Sequence, residues 1–187
     1  MPGPDGWLPA ATSMPSDNHD ARPEGIDVSL LVVHGISLPP GEFGGDAIER
    51  LFCNTLDCGE HPWFERLREL RVSAHLLIRR DGQLVQFVSL LDRAWHAGRS
   101  CFEGRAECND FGIGIELEGT DDRPYTEAQY DCLIPLARGI MRRFPGITPE
   151  RVVGHCDIAP ERKTDPGPVF DWQRLRQGIE HSAEERG

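Results

Sequence analysis

Short apolar runs separated by glycine- and proline-rich breaks make up most of the chain, and the runs are of strand length. The first, Val28-Ser29-Leu30-Leu31-Val32-Val33, is continuous rather than alternating, as expected of a strand buried on both faces. His34 stands at its end. The stretch from Gly35 to Gly45, with Pro39, Pro40, Gly41 and Gly44, predicts that the chain leaves the sheet directly after that histidine. Helical spacing resumes from Asp46 to Leu56 at Ile48, Leu51 and Phe52, and the glycine- and proline-rich stretch before it leads to the expectation that residues 38–60 form a mobile cover over the site. Val72 to Arg79 alternates, Gln83 to Ser89 is a second β-rich run, and Asp81-Gly82 between them predicts a hairpin with a two-residue type I′ turn.

In Gly112 to Gly119, a period of two puts Ile113, Ile115 and Leu117 toward the core and Gly112, Gly114, Glu116 and Glu118 on the other face. Glycines inside a strand mark a close approach to the backbone, so Glu116 is expected to overlook a shallow floor where a ligand could lie. Thr126-Glu127-Ala128-Gln129 is a capping box, and Tyr130, Leu133, Ile134, Ala137, Met141 and Phe144 keep one helical stripe behind it. The stripe holds its phase across Pro135, which predicts a kink rather than two helices. Arg151 to Val153 reads as a short strand delivering His155, and Asp171 as the cap of a last helix. Residues 1–27 read as an irregular arm anchored by Trp7 and Leu8, 28–180 as the domain, and 181–187 as a polar tail.

The segment Gly154 to Pro168 concentrates the chemistry. Pro160, Pro166 and Pro168 predict a stiff, non-helical loop carrying His155, Lys163 and Asp165. His155 and Asp165 are candidate zinc ligands, and Lys163 could stabilise an oxyanion beside a metal. With His34 they would form a three-ligand site whose fourth position is left for water, and Glu116 would then handle the proton. Each residue also has a plainer role: a structural histidine for His34, a half-buried polar residue for His75, a core ring for Trp95, a solvated carboxylate for Glu116. Cys156 beside His155 suggests a cysteine hydrolase, but neighbours along extended backbone point apart, which disfavours it.

At 187 residues the chain fits a single domain able to bury a sizeable core. Its 31 acidic against 20 basic residues give a net charge of −11 with no basic stripe, which argues against nucleic acid as a partner. The first thirty residues show no secretory signal or lipid-anchor motif, and no apolar run approaches a membrane span; a soluble cytoplasmic protein is expected. In that setting the six cysteines are expected to be thiols.

The segments LVVHGISLPPGEFGG (from Leu31), RVSAHLLIRRDG (from Arg71), RAWHAG (from Arg93), CNDFGIGIELEGT (from Cys108) and Gly154 to Pro168 resemble the zinc-dependent N-acetylmuramoyl-L-alanine amidases of the AmpD type. These share their fold with the peptidoglycan recognition proteins. The resemblance implies a single α/β domain with a central mixed β-sheet flanked by helices. It implies hydrolysis of the amide joining muramic acid, in the 1,6-anhydro form for cytoplasmic members, to L-alanine during cell-wall recycling. It places one zinc on His34, His155 and Asp165, proton handling on Glu116, oxyanion stabilisation on Lys163, and muropeptide contacts on Arg71 and Trp95. It also implies removal of signals for β-lactamase induction. Gly35 stands where close relatives often have asparagine, and Glu107 where some have arginine. The alternative is a recognition module that binds muropeptides on the same fold without catalysis.

Overall fold

The computed structural model describes residues 2–180. Its strands are β1 (Thr12–Ser13), β2 (His19–Asp20), β3 (Leu30–Ile36), β4 (Leu76–Ile78), β5 (Leu84–Gln86), β6 (Arg93–Ala94), β7 (Cys101–Phe102), β8 (Arg105–Ala106), β9 (Gly112–Glu118) and β10 (Val152–Gly154). Its α-helices are α1 (Ala47–Phe52), α2 (Glu127–Arg143), α3 (His155–Ile158) and α4 (Trp172–Glu180). Six strands form one sheet in the order β1-β5-β4-β9-β3-β10, in which β4 and β5 run antiparallel and the other neighbours parallel. This is the mixed sheet expected of the family resemblance.

Strand alternation divides the core. Leu31 and Val33 of β3, Leu76 and Ile78 of β4, and Ile113, Ile115 and Leu117 of β9 pack against Leu133, Ala137 and Ile140 of α2 and Leu175 and Ile179 of α4. Each such side chain, fully buried, contributes about 1.5–3 kcal/mol. The opposite face carries two separate clusters. Leu77 and Val85 join Ile48, Leu51 and Phe52 of α1, whereas Leu30 and Val32 join Phe111, Val153 and Ile158. Glu116 pairs with Leu77 on one side and with His34 on the other, so these two polar residues lie along the seam between the clusters. The seam opens toward the carboxyl ends of the parallel strands, where ligands of α/β sheets commonly bind.

The structure corrects several expectations. The sheet does not end at His34: β3 continues to Ile36, because β9 supplies partners as far as Glu118 and Gly119 N–H bonds the Ile36 carbonyl at 2.8 Å. The hairpin between β4 and β5 is present, but its turn is not type I′. Only Gly82 has a positive φ, at 86°, and its N–H bonds the Arg79 carbonyl at 2.9 Å. A type I′ turn requires positive φ at both central residues. The Gly154 to Pro168 segment is not loop throughout, since α3 makes one helical turn in the proline-free interval before Ala159. The Asp157 carboxylate accepts the Gly154 N–H at 2.7 Å there, and Pro160 then forces the chain out of the helix.

The arm contributes β1 to the sheet edge and pairs β2 with β6, while Leu8 N–H bonds the buried Gln86 side chain at 2.8 Å. Elsewhere the Thr126–Gln129 capping box opens α2 as expected, α2 is one helix through Pro135 rather than two, and Asp171 Oδ1 accepts the Arg174 N–H at 2.9 Å at the start of α4. The expected polar tail, 181–187, lies outside the described residues.

Candidate active site

Three elements bring the candidate metal-ligating side chains together. His34 comes from the interior of β3, and His155 opens α3 directly after Gly154 of β10, which pairs with Val33. Asp165 arrives from the loop beyond α3, folded back by a 3.0 Å bond from Cys156 N–H to its carbonyl. His34 Nδ1 and His155 Nδ1 lie 2.8 Å apart, and Asp165 Oδ2 lies 3.1 Å from His155 Nδ1 and 3.5 Å from His34 Nδ1.

The far nitrogens of both rings are engaged. His155 Nε2 sits 3.3 Å from the Ala97 carbonyl and His34 Nε2 sits 2.9 Å from His96 Nδ1. A proton on each Nε2 leaves both Nδ1 atoms as lone pairs facing one carboxylate. A compact set of two buried imidazole nitrogens and one partly buried carboxylate oxygen fits a zinc-type ion with room for a further ligand.

The electrostatics agree with that geometry. Burial, more than the neighbouring charges, lowers the His34 pKa to about 4, so the ring is neutral and available as a donor. For Asp165 burial acts upward, but the bonds to His155 and His34 and their charge outweigh it and hold the carboxyl well below the usual range. Glu116 is the opposite case. Burial and then the Asp165 charge raise its pKa well above the ordinary value, with Lys163 pulling the other way. Its Oε1 stands 4.0 Å from His34 Nδ1, and its Oε2 is buried without a hydrogen-bond partner. A buried polar atom left unpaired beside a cluster of donors is aimed at something the protein itself does not supply.

An open cleft of about 440 Å³ adjoins this cluster, bordered by Glu116, Lys163, Asp165, His155, Trp95 and Arg71. The fold thus gathers all the predicted site residues, with His34 buried at the cluster itself. Trp95 is half-buried at the rim rather than in the core, and Arg71 is exposed, its guanidinium donating to the Arg68 and Leu70 carbonyls at 3.2 and 3.0 Å. Trp63 and Arg162 also border the cleft and were not foreseen, because each lies in an irregular stretch without periodicity.

His75 is fully buried and structural, accepting the Gly114 N–H at 3.0 Å. Cys156 makes no catalytic pair with His155, and burial above all raises its thiol pKa. Gly35 donates its N–H to Asp165 Oδ2 at 3.3 Å, and a Cβ there would collide with the Tyr125 hydroxyl, which itself donates to the Pro166 carbonyl at 3.0 Å. Glu107 lies outside this cleft, in a left-handed conformation with φ of 59°.

A buried carboxyl with a raised proton affinity, set beside a donor cluster fit for a metal and at the edge of an open cleft, equips a protein for metal-assisted hydrolysis. Residues 24–168 match the N-acetylmuramoyl-L-alanine amidase family, and the chain belongs to that family. It is 57% identical over 172 residues to the 1,6-anhydro-N-acetylmuramyl-L-alanine amidase AmpD of Citrobacter freundii, a match covering 92% of this chain and 91% of the relative. A crystal structure of a selenomethionine AmpD derivative shares the fold with a TM-score of 0.93 at 55% identity, over 96% of this chain and 99% of that one. The amidase AmiD of Escherichia coli, in complex with the substrate anhydro-N-acetylmuramic acid-L-Ala-D-gamma-Glu-L-Lys, matches with a TM-score of 0.61 at 32% identity, over 84% and 60% of the two chains.

Proposed function

We propose that this chain is a zinc-dependent hydrolase of the amide between 1,6-anhydro-N-acetylmuramic acid and L-alanine in muropeptides, acting in cytoplasmic cell-wall recycling. The observation that carries the proposal is the convergence of His34 Nδ1, His155 Nδ1 and Asp165 Oδ2 next to the buried, partnerless Glu116 carboxyl oxygen. His34, His155 and Asp165 would hold one zinc ion, which supplies Lewis acidity to the amide carbonyl and lowers the pKa of a water.

The remaining roles belong to the chain. Glu116 is placed to take a proton from the attacking water and return it to the departing alanine nitrogen. Lys163, whose charge already acts on Glu116, would balance the negative charge that develops on the carbonyl oxygen. At the rim, the Trp95 ring offers an apolar face to sugar or peptide, and the exposed Arg71 guanidinium suits a peptide carboxylate. Among the described residues no helix is long and apolar enough to cross a membrane.

Mass spectrometry of 1,6-anhydro-N-acetylmuramyl tripeptide incubated with the purified protein, with and without a chelator, tests the proposal. Chelator-sensitive release of free tripeptide and anhydro-sugar is the expected result. Intact substrate after incubation with folded, zinc-loaded protein would overturn it.

A further inference from the structure

His96 takes no part in the chemistry just described, yet the fold is built to hold its ring against the metal cluster. Its backbone N–H and that of Ala97 both donate to Asn109 Oδ1, at 3.1 and 2.8 Å, which suspends the segment over the sheet. Beneath the ring lies Gly114, where a Cβ would fall 2.5 Å from His96 Cγ. The interior glycine of β9 therefore admits this histidine, and not a ligand, to the face of the strand. The ring is buried, and its Nε2 has no hydrogen-bond partner. Its Nδ1 has one: His34 Nε2, at 2.9 Å, with the two rings nearly perpendicular at 88°. A buried polar ring that leaves one nitrogen unpaired in order to present the other to a metal-cluster histidine is placed for that contact.

We propose that His96 is a positioning residue that sets the tautomer and ring plane of His34. Its Nδ1 accepts the proton on His34 Nε2, which keeps His34 Nδ1 as a bare lone pair turned toward His155 and Asp165. The reverse arrangement, with His96 Nδ1 donating, would place the His34 proton on Nδ1, between the two rings, where it would have to leave before a metal could bind. The same suspended segment supports the second histidine, since the Ala97 carbonyl faces His155 Nε2 at 3.3 Å. Asn109 thus holds the backing of both rings at once. The inference rests on the zinc site proposed above. Outer partners that orient a ligating histidine commonly change metal affinity by about 10–100-fold.

The test compares wild type with His96→Leu, which removes the acceptor, and His96→Asn, whose side-chain Oδ1 can stand where the ring Nδ1 stood. Zinc affinity is read by competition with a chromophoric chelator, and folding by circular dichroism. His96→Leu should bind zinc about 10–100-fold more weakly, and His96→Asn should recover most of that loss. Equal zinc affinity in wild type and His96→Leu overturns the role of His96 while leaving the zinc site intact. Absence of zinc binding by wild type overturns the zinc site and this inference together. Independently of any variant, long-range proton–nitrogen spectra of the zinc-loaded wild type should place the proton on His34 Nε2 and leave His96 Nδ1 bare. A proton on His96 Nδ1 overturns the proposal even if the leucine variant fails to fold.

Discussion

Glu116 and the buried histidines show how burial sets protonation one residue at a time. Because the folded protein holds the Glu116 pKa well above 4.5, the unfolded chain ionises first as pH rises, and the group costs stability from about that pH upward. Glu116→Gln is therefore expected to lower kcat by roughly 10²–10⁴-fold while leaving the metal-free protein at least as stable as wild type at pH 7, as read by activity assays and urea unfolding. The histidines act in the opposite pH direction. His34 and His75 have folded pKa values lowered to about 4 and about 3 from 6.5, mainly by burial. Above that reference both states keep them neutral; below it the unfolded chain binds protons that the folded one refuses. Stability of the metal-free protein should thus fall as pH drops from about 6.5 toward 4, by about 1.4 kcal/mol per pH unit for each histidine. Urea unfolding series at pH 7, 6 and 5 would check the slope, and no change across that range would contradict it.

Among elements, β9 and the segment after β3 make the sharpest demands. Gly114→Ala places a methyl in the space of the His96 ring, so it should destabilise by about 1–3 kcal/mol and weaken metal binding in the same protein. Thr126→Ala, which removes the α2 cap far from the cluster, should cost about 1 kcal/mol of stability and leave metal binding unchanged. Thermal or urea unfolding together with zinc titration would separate the two. The segment 38–60 is held at several points. Leu38, Ile48, Leu51 and Phe52 are buried in the second core, and Gly44 N–H donates to the buried Glu118 carboxylate at 2.5 Å. Hydrogen exchange should accordingly be slow across α1 and fastest in residues 41–45, with Gly44 retarded relative to Gly45. Uniformly fast exchange across 38–60 would instead mean that the whole cover moves as one.

For the whole molecule, a metal that binds only the folded chain links occupancy to stability. Zinc at a hundredfold excess over its Kd should stabilise by about 2.7 kcal/mol, and a chelator should reverse this; a Tm indifferent to zinc would deny a native-state metal site.

Much of this protein was legible from local pattern, because local pattern is what those features depend on. The Thr126–Gln129 box, the α2 stripe, the Asp171 cap and the alternation of β9 are set by residues within a few positions of one another. His34, His155, Asp165, Glu116 and Lys163 could be singled out by residue type and by resemblance to the amidases. The extension of β3 past His34 was decided by a partner outside its own segment, the neighbouring β9, whereas the turn at Gly82 and the helical turn at His155 rest on short-range bonds, to the Arg79 carbonyl and the Asp157 carboxylate, that hydrophobic pattern does not encode. His96 and Asn109 illustrate the limit. Both lie in segments that carry the resemblance, but nothing in those segments assigns them a task, since the place of His96 against His34 arises from a contact between residues 62 positions apart and from space left by a glycine on another strand. Which residues could do chemistry was written in the chain; which nitrogens converge on Asp165, and what holds them there, is decided only when β3, β9, β10 and the segment around His96 are packed together.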